Sequence, residues 1–144
     1  VTVDLHDEAP PNAEAFVIAW LLPLAGGYDK IGSKMWAAGM PKPYFMVRRI
    51  TGGTDLITDY PLMRVHTFAA SYTEASHKAW EAHRRMLLLA NDPLLAVTMP
   101  DGSLANCEWL CADEGPHEEP YAAESVVTRF VAEYTLGLHF GRVT

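Results

Sequence analysis

The sequence predicts an α+β fold: a mostly antiparallel sheet with two main helices packed on one face, in a single small domain. Three patterns predict it. Residues 73–90 repeat small and apolar side chains at helical spacing. Residues 126–140 alternate apolar and polar side chains, as a half-buried antiparallel strand does. Between and before them, short β-branched and aromatic runs flank glycine and proline turn signals.

Taken in order, residues 1–11 form an acidic, proline-containing N-terminus that is expected to be mobile. Asn12 is placed to cap a first helix, with Glu14 in its first turn to suit the helix dipole. That helix is apolar nearly all round, so it is buried, and it runs to about Leu22. Pro23 and Gly26–Gly27 end or kink it. A long Gly-, Pro- and Lys-rich loop over 26–43 follows. Loops of that length inside a compact domain are usually functional, or poorly ordered when alone.

"YFMVRRI" (44–50) and "LMRVHTFAA" (62–70) read as strands of a hairpin with a mobile Gly52–Gly53 tip. In the second strand Met63, Val65, Thr67 and Ala69 share one side, and Arg64, His66 and Phe68 the other. Thr73 is a candidate cap for the next helix. Its apolar face holds Ala75, Ala79, Ala82, Met86 and Leu89, and the opposite face holds Glu74, His77, Lys78, Glu81, Arg84 and Arg85. A second hairpin turns at Pro100-Asp101-Gly102. Alternation in "CEWLC" puts Cys107, Trp109 and Cys111 on one side of a strand. The run from Asp113 to Glu124 reads as a solvated acidic loop.

The 144 residues suit one domain, 1–144, with 49% hydrophobic and 20% charged residues. The net charge of -7 argues against a general nucleic-acid binder, which needs clustered Lys and Arg. Cys107 and Cys111, four apart in an extended stretch, lie roughly 13 Å apart, too far for a disulfide. The longest apolar run is shorter than the ~20 residues a membrane span needs, and no basic stretch precedes it as in a signal peptide. A soluble protein is expected.

Candidate chemistry is sparse. In "SHKAWEAHRR" (76–85), His77 and His83 point roughly 120° apart, and Lys78, Arg84 and Arg85 oppose a metal at His77. The stretch reads as a docking helix with a wet or partner-facing side. "GGYDKIGSK" has Ser-Lys where a phosphate loop has Lys-Ser/Thr, and it follows a helix. Cys107, Cys111 and His117 match no common zinc spacing. No hydrolase signature is present. No catalysis, cofactor or metal is expected. A small metal-dependent enzyme using His77, His117 or Cys107 is the alternative from another class, and bound metal is its sign.

Charge placement is more informative. Residues 26–64 carry a net +3, and residues 101–124 a net -7 with no Lys or Arg. One reading is scatter over a surface. The other is head-to-tail assembly, in which the basic region of one subunit meets the acidic region of the next. The candidate contacts are then Lys30, Lys34, Lys42, Arg48 and Arg49 on one side, and Glu114, Glu118 and Glu119 on the other. Trp36 and Met40 are apolar residues in the loop. They are candidate anchors for a partner, and packing of Trp36 onto its own domain is the equal alternative.

Four segments together, "AEAFVIAWLLPL", "MVRRITGGTDLITDYPLMRVHTFA", "HRRMLLL" and "RFVAEYTLGLHF", resemble tail terminator proteins of long-tailed phages infecting actinobacteria. The likeness spans nearly the whole chain, and its motifs are structural rather than catalytic. It implies a homohexameric ring that caps the head-proximal end of the tail tube, stops tube polymerisation and meets head-completion or neck proteins. DNA would only pass through the ring. It implies a place in the virion, after assembly in the host cytoplasm, and no membrane partner. Another phage neck protein, either a head-tail joining or a minor capsid protein, is the structural alternative.

Overall fold

A computed structural model describes residues 8–121 and 127–142. The order is β1 (Glu8–Ala9), α1 (Ala13–Ala25), a 3-10 turn (Tyr28–Lys30), β2 (Ile31–Gly32), β3 (Tyr44–Thr51), β4 (Thr58–Asp59), β5 (Leu62–Ala69), α2 (Tyr72–Asn91), β6 (Ala96–Thr98), β7 (Leu104–Glu118), β8 (Thr128–His139) and β9 (Gly141–Arg142). The main sheet runs β2-β3-β5-β8-β7-β6, and β4 pairs β8 beyond the end of β5. Among the described strands only β2 and β3 run parallel. The predicted α+β architecture is what forms.

The long β8 is the spine. β5 pairs it on one side from Thr128 to Thr135, and β7 pairs it on the other from Phe130 to Leu138. Its alternation places Ala132, Tyr134, Leu136 and Leu138 under the helices. Val126, with which the predicted strand began, lies outside the described residues. α2 presents the predicted set, Ala75, Ala79, Ala82, Met86 and Leu89, all buried. The alanines let the helix lie close to the sheet. Its cap is Ser71, whose hydroxyl accepts from the Glu74 amide at 3.2 Å, two residues before the predicted Thr73.

Asn12 caps α1 as predicted, accepting from the Ala15 amide at 2.9 Å. The helix passes through Pro23 for its last turn and ends at Gly26. It buries Phe16, Val17 and Leu21. Arg85 was predicted on the wet face of α2, but it clasps the helices together. Its guanidinium lies 4.1 Å over the Trp20 ring and donates to the Trp20 carbonyl, while the Trp20 indole donates to the Arg85 carbonyl at 2.8 Å.

Four expectations about loops are corrected. The N-terminus is held from residue 8 by pairing of β1 with β9, and residues 1–7 lie outside the description. The 26–43 loop contains a 3-10 turn and β2, then folds back over the far face of the sheet. There Trp36 stacks on Phe68 at 6.3 Å, beside Tyr44, Met46 and Tyr121. That end of the sheet is therefore covered on both faces. The 51–61 tip is tied, not loose: the Asp55 carboxylate accepts from the amides of Ile57 and Thr58 and from the Tyr60 hydroxyl. Lastly, the acidic run is strand, not loop, as far as Glu118. β8 offers a paired edge that holds it extended, although most of its side chains face water. Residues 122–126, including Glu124, lie outside the description.

A register shift between Cys107 and Trp109 also breaks their predicted shared side. Cys107 enters the core, 1% exposed, and Trp109 lies on the far face, 40% exposed. Trp109 can lie there because Gly137 opposite has no side chain. A Cβ on Gly137 would sit 2.6 Å from the Trp109 indole nitrogen.

Gly52 is the backbone constraint in the first hairpin. Its φ is +127°, and a Cβ there would come within 2.1 Å of the Tyr60 carbonyl oxygen. Gly52→Ala is expected to destabilise the protein by about 2–3 kcal/mol in urea unfolding. A loss below about 0.5 kcal/mol, the level of an ordinary surface change, would contradict this close approach.

Candidate subunit interface

Sheet order turns the sequence polarity into geometry. Lys30, Lys34 and Arg48 belong to the β2–β3 edge, and Glu114 and Glu118 to β7. β5 and β8 lie between. At ~4.8 Å per strand, β3 and β7 are about 14 Å apart and β2 is a further strand away. The two charge sets occupy opposite sides of one sheet and do not neutralise each other within the chain.

The candidates differ in what they have free. Lys34, Lys42, Arg48, Glu114 and Glu118 are exposed. Arg48 donates to the Ser33 carbonyl at 3.2 Å and stands 3.8 Å from Glu14, a loose contact on a half-exposed side chain. Lys42 lies 5.9 Å over the Trp36 ring. Lys30 and Met40 are half-buried, with Met40 packed in the Trp36 cluster. Trp36 itself is 4% exposed, and its indole donates to the Pro41 carbonyl at 3.3 Å. As an anchor for another subunit it is therefore corrected: it is packing onto its own domain. Glu119 sits between His117 at 3.5 Å and Arg129 at 3.9 Å.

Arg49 is committed elsewhere. It grips Asp59 with two hydrogen bonds, 2.6 and 2.8 Å, and also donates to the Gly52 carbonyl at 3.2 Å. The Asp59 side chain is 1% exposed. The Asp59 bonds raise the guanidinium above its ordinary value against the opposing effect of burial. The pair ties β3 to β4, and so the hairpin to β8. Beside it Glu14 accepts from the Arg49 amide at 2.9 Å and closes the outer edge of β3. A shallow pocket of about 410 Å³ lies here, lined by residues 10–14, Arg49 and Asp59. The spacing Arg49…Asp59 across a predicted hairpin was the available signal for this pair.

The far face of the sheet carries a second polar row, to which β5 contributes Arg64 and His66. Arg48, Arg64 and Glu133 stand opposite one another on β3, β5 and β8, and Arg64 bonds Glu133. Next to them His66 is 6% exposed and stacks on Phe68 at 6.2 Å with an interplanar angle of 9°. Burial first, then the charges of Arg129, Arg64 and Arg48, push its imidazole down to about 4.

The groups considered for metal stand apart. His77 is on the outer face of α2, 2.6 Å from Glu81. His117 is on β7 near Glu114. Cys107 is in the core, with burial pushing its thiol up to about 11. Among the described residues no three His, Cys, Asp or Glu side chains gather as a metal-binding group.

No family model matches the chain, and no curated protein does. A chain in a solved structure described as the virion of a native gene transfer agent particle is similar in fold. Identity is 10%, coverage is 88% of this chain and 87% of that one, and the TM-score is 0.48.

Two outcomes follow from this geometry. Arg49→Ala leaves Asp59 buried without its partner and is expected to cost about 3 kcal/mol in chemical unfolding. A cost under about 1 kcal/mol, typical of an exposed pair, would mean the bridge is not holding the hairpin. His66 has a folded pKa below its ordinary 6.5. The unfolded chain therefore binds the extra proton, and the stability involved is complete above pH 6.5 and lost as pH falls towards 4. His66→Phe should remove on the order of 2–3 kcal/mol of the stability change across that window. Equal pH slopes for the two proteins would show that His66 titrates normally.

Proposed function

We propose that the chain is a structural virion protein, a phage tail terminator, that acts by assembling rather than by catalysis. One observation carries the proposal: opposite charges stand exposed on opposite sides of one sheet. A contact that joins unlike surfaces of identical subunits is heterologous, and it closes into a ring when the rotation per copy is right. Two sequence features support the reading, the four segments that resemble tail terminators and the scarcity of converging chemical groups.

In this reading six copies form a ring with Lys34, Lys42 and Arg48 of each copy facing Glu114 and Glu118 of the next. The ring caps the head-proximal end of the tail tube, stops its polymerisation and forms the tail side of the head-tail joint. Its partners are its own copies, the tube protein and the neck proteins, and it sits at the head-proximal end of the tail. A net charge of -7 per copy disfavours retention of DNA passing through the bore.

The test is tube length. Removal of this protein from its phage should give overlong tail tubes, and adding it to growing tubes should arrest them with a six-fold ring at one end. Tails of normal length that lack heads would replace the terminator reading with that of a joining protein. Stoichiometric metal in the purified protein, by native mass spectrometry, would favour an enzyme.

A further inference from the structure

A strand without a neighbour presents a row of unpaired N–H and C=O groups. β8 pairs one side of β7 from Cys107 to Glu118, whereas β6 covers the other side only at Leu104–Asn106. From Cys107 to Glu118 no strand lies on that outer edge among the described residues. Those 12 residues span roughly 40 Å. Residues 111–115 are exposed in succession, on both faces of the strand.

The edge is guarded in a selective way. It carries three register shifts and Pro116, which cannot donate. Residues 104–119 hold five acidic side chains and no Lys or Arg. Such features repel an arbitrary strand, and above all another acidic one. They do not repel a basic one. The opposite boundary of the same sheet is basic, and among the described residues it is also open: the two-residue β2 has β3 on one side and no strand on the other, and Lys30, Lys34 and exposed Arg48 surround it.

We infer that the outer edge of β7 is a strand-pairing site for a second copy of this chain, which lays the short strand β2, Ile31–Gly32, with the bend that follows it, against residues within 110–118. The sheet of one copy then continues into the sheet of the next. The inference rests on the self-assembly in the reading above and adds the mode of contact: main-chain pairing supplies the geometry, and the charges choose the partner. Both halves of the contact belong to one chain and lie at opposite boundaries of one sheet, so every copy can receive a neighbour and provide for another.

Hydrogen exchange with native mass spectrometry tests this on the unmodified protein. On assembly, amides within 110–118 and 31–34 are expected to slow together by about tenfold or more. Assembly without protection of 110–118 overturns the edge pairing and leaves a ring built by other contacts. A protein that stays monomeric up to about 1 mM also overturns it, while tube length judges the terminator reading separately. Charge reversal adds an independent readout. Glu114→Lys with Glu118→Lys, and separately Lys34→Glu with Arg48→Glu, should each block assembly, and mixing the two proteins should restore it with alternating copies. Full assembly of either double variant alone overturns the assignment.

Discussion

The main sheet of this protein depends on β8 being paired along both edges. β5 and then β4 occupy one side of it, and β7 occupies the other. Of its helix-facing side chains, Tyr134, Leu136 and Leu138 are at most 1% exposed. A strand in this position must satisfy its backbone in both directions, so it recruits residues that composition alone would leave in loops. That accounts for two unobvious parts of the fold. Thr58–Asp59 leaves the hairpin tip to complete the β8 edge past the end of β5. The acidic run to Glu118 stays extended because β8 pairs it, not because its own side chains are buried.

Periodic packing was legible in the sequence, and long-range pairing was not. The inward face of α2 could be read residue by residue, because burial on one face of a helix forces a 3.6-residue repeat. The same held for the inward residues of β8. The continuation of β7 beyond Ala112 was hidden because an exposed edge strand carries the same polar residues as a loop. The register shift that separates Cys107 from Trp109 left no mark in local alternation. Its enabling residue is Gly137, on another strand. The role of Trp36 turned on contacts with Phe68 and Tyr121, residues 32 and 85 positions away, which no window along the chain displays. At the candidate interface the charge polarity was legible. That the two sets occupy opposite sides of the sheet became visible only with the strand order.

Two buried polar groups show how the hairpin is specified rather than merely stabilised. Asp59 is fully buried and is satisfied by a two-pronged Arg49. A buried ion pair of this kind gives little net stability over an apolar pair but penalises any register that separates its partners. His66 lies one strand further in and is kept neutral by burial beside three guanidinium groups. Its neutrality lets the aromatic cluster of Phe68, Tyr44 and Trp36 close over the sheet without adding a fourth positive charge. Arg64 in the same row is balanced by Glu133 across the strand. Arg48 of the same row stays exposed and belongs to the basic side of the sheet.

In the proposed assembly, the separation of the two charge sets resolves a conflict faced by any subunit that must stay separate before it assembles. An open strand edge is an invitation to indiscriminate pairing, and an apolar edge would aggregate as the chain accumulates. Acidic side chains and Pro116 make the β7 edge repellent to a second β7 edge. A symmetric contact, the same surface on both partners, would place the four acidic residues of β7 against four more and is opposed by like-charge repulsion. The contact the charges permit joins unlike edges. Unlike edges generate rings or fibres rather than closed pairs. The choice between ring and fibre then falls to the angle between the two sides, which the right-handed twist of the intervening strands fixes within each copy.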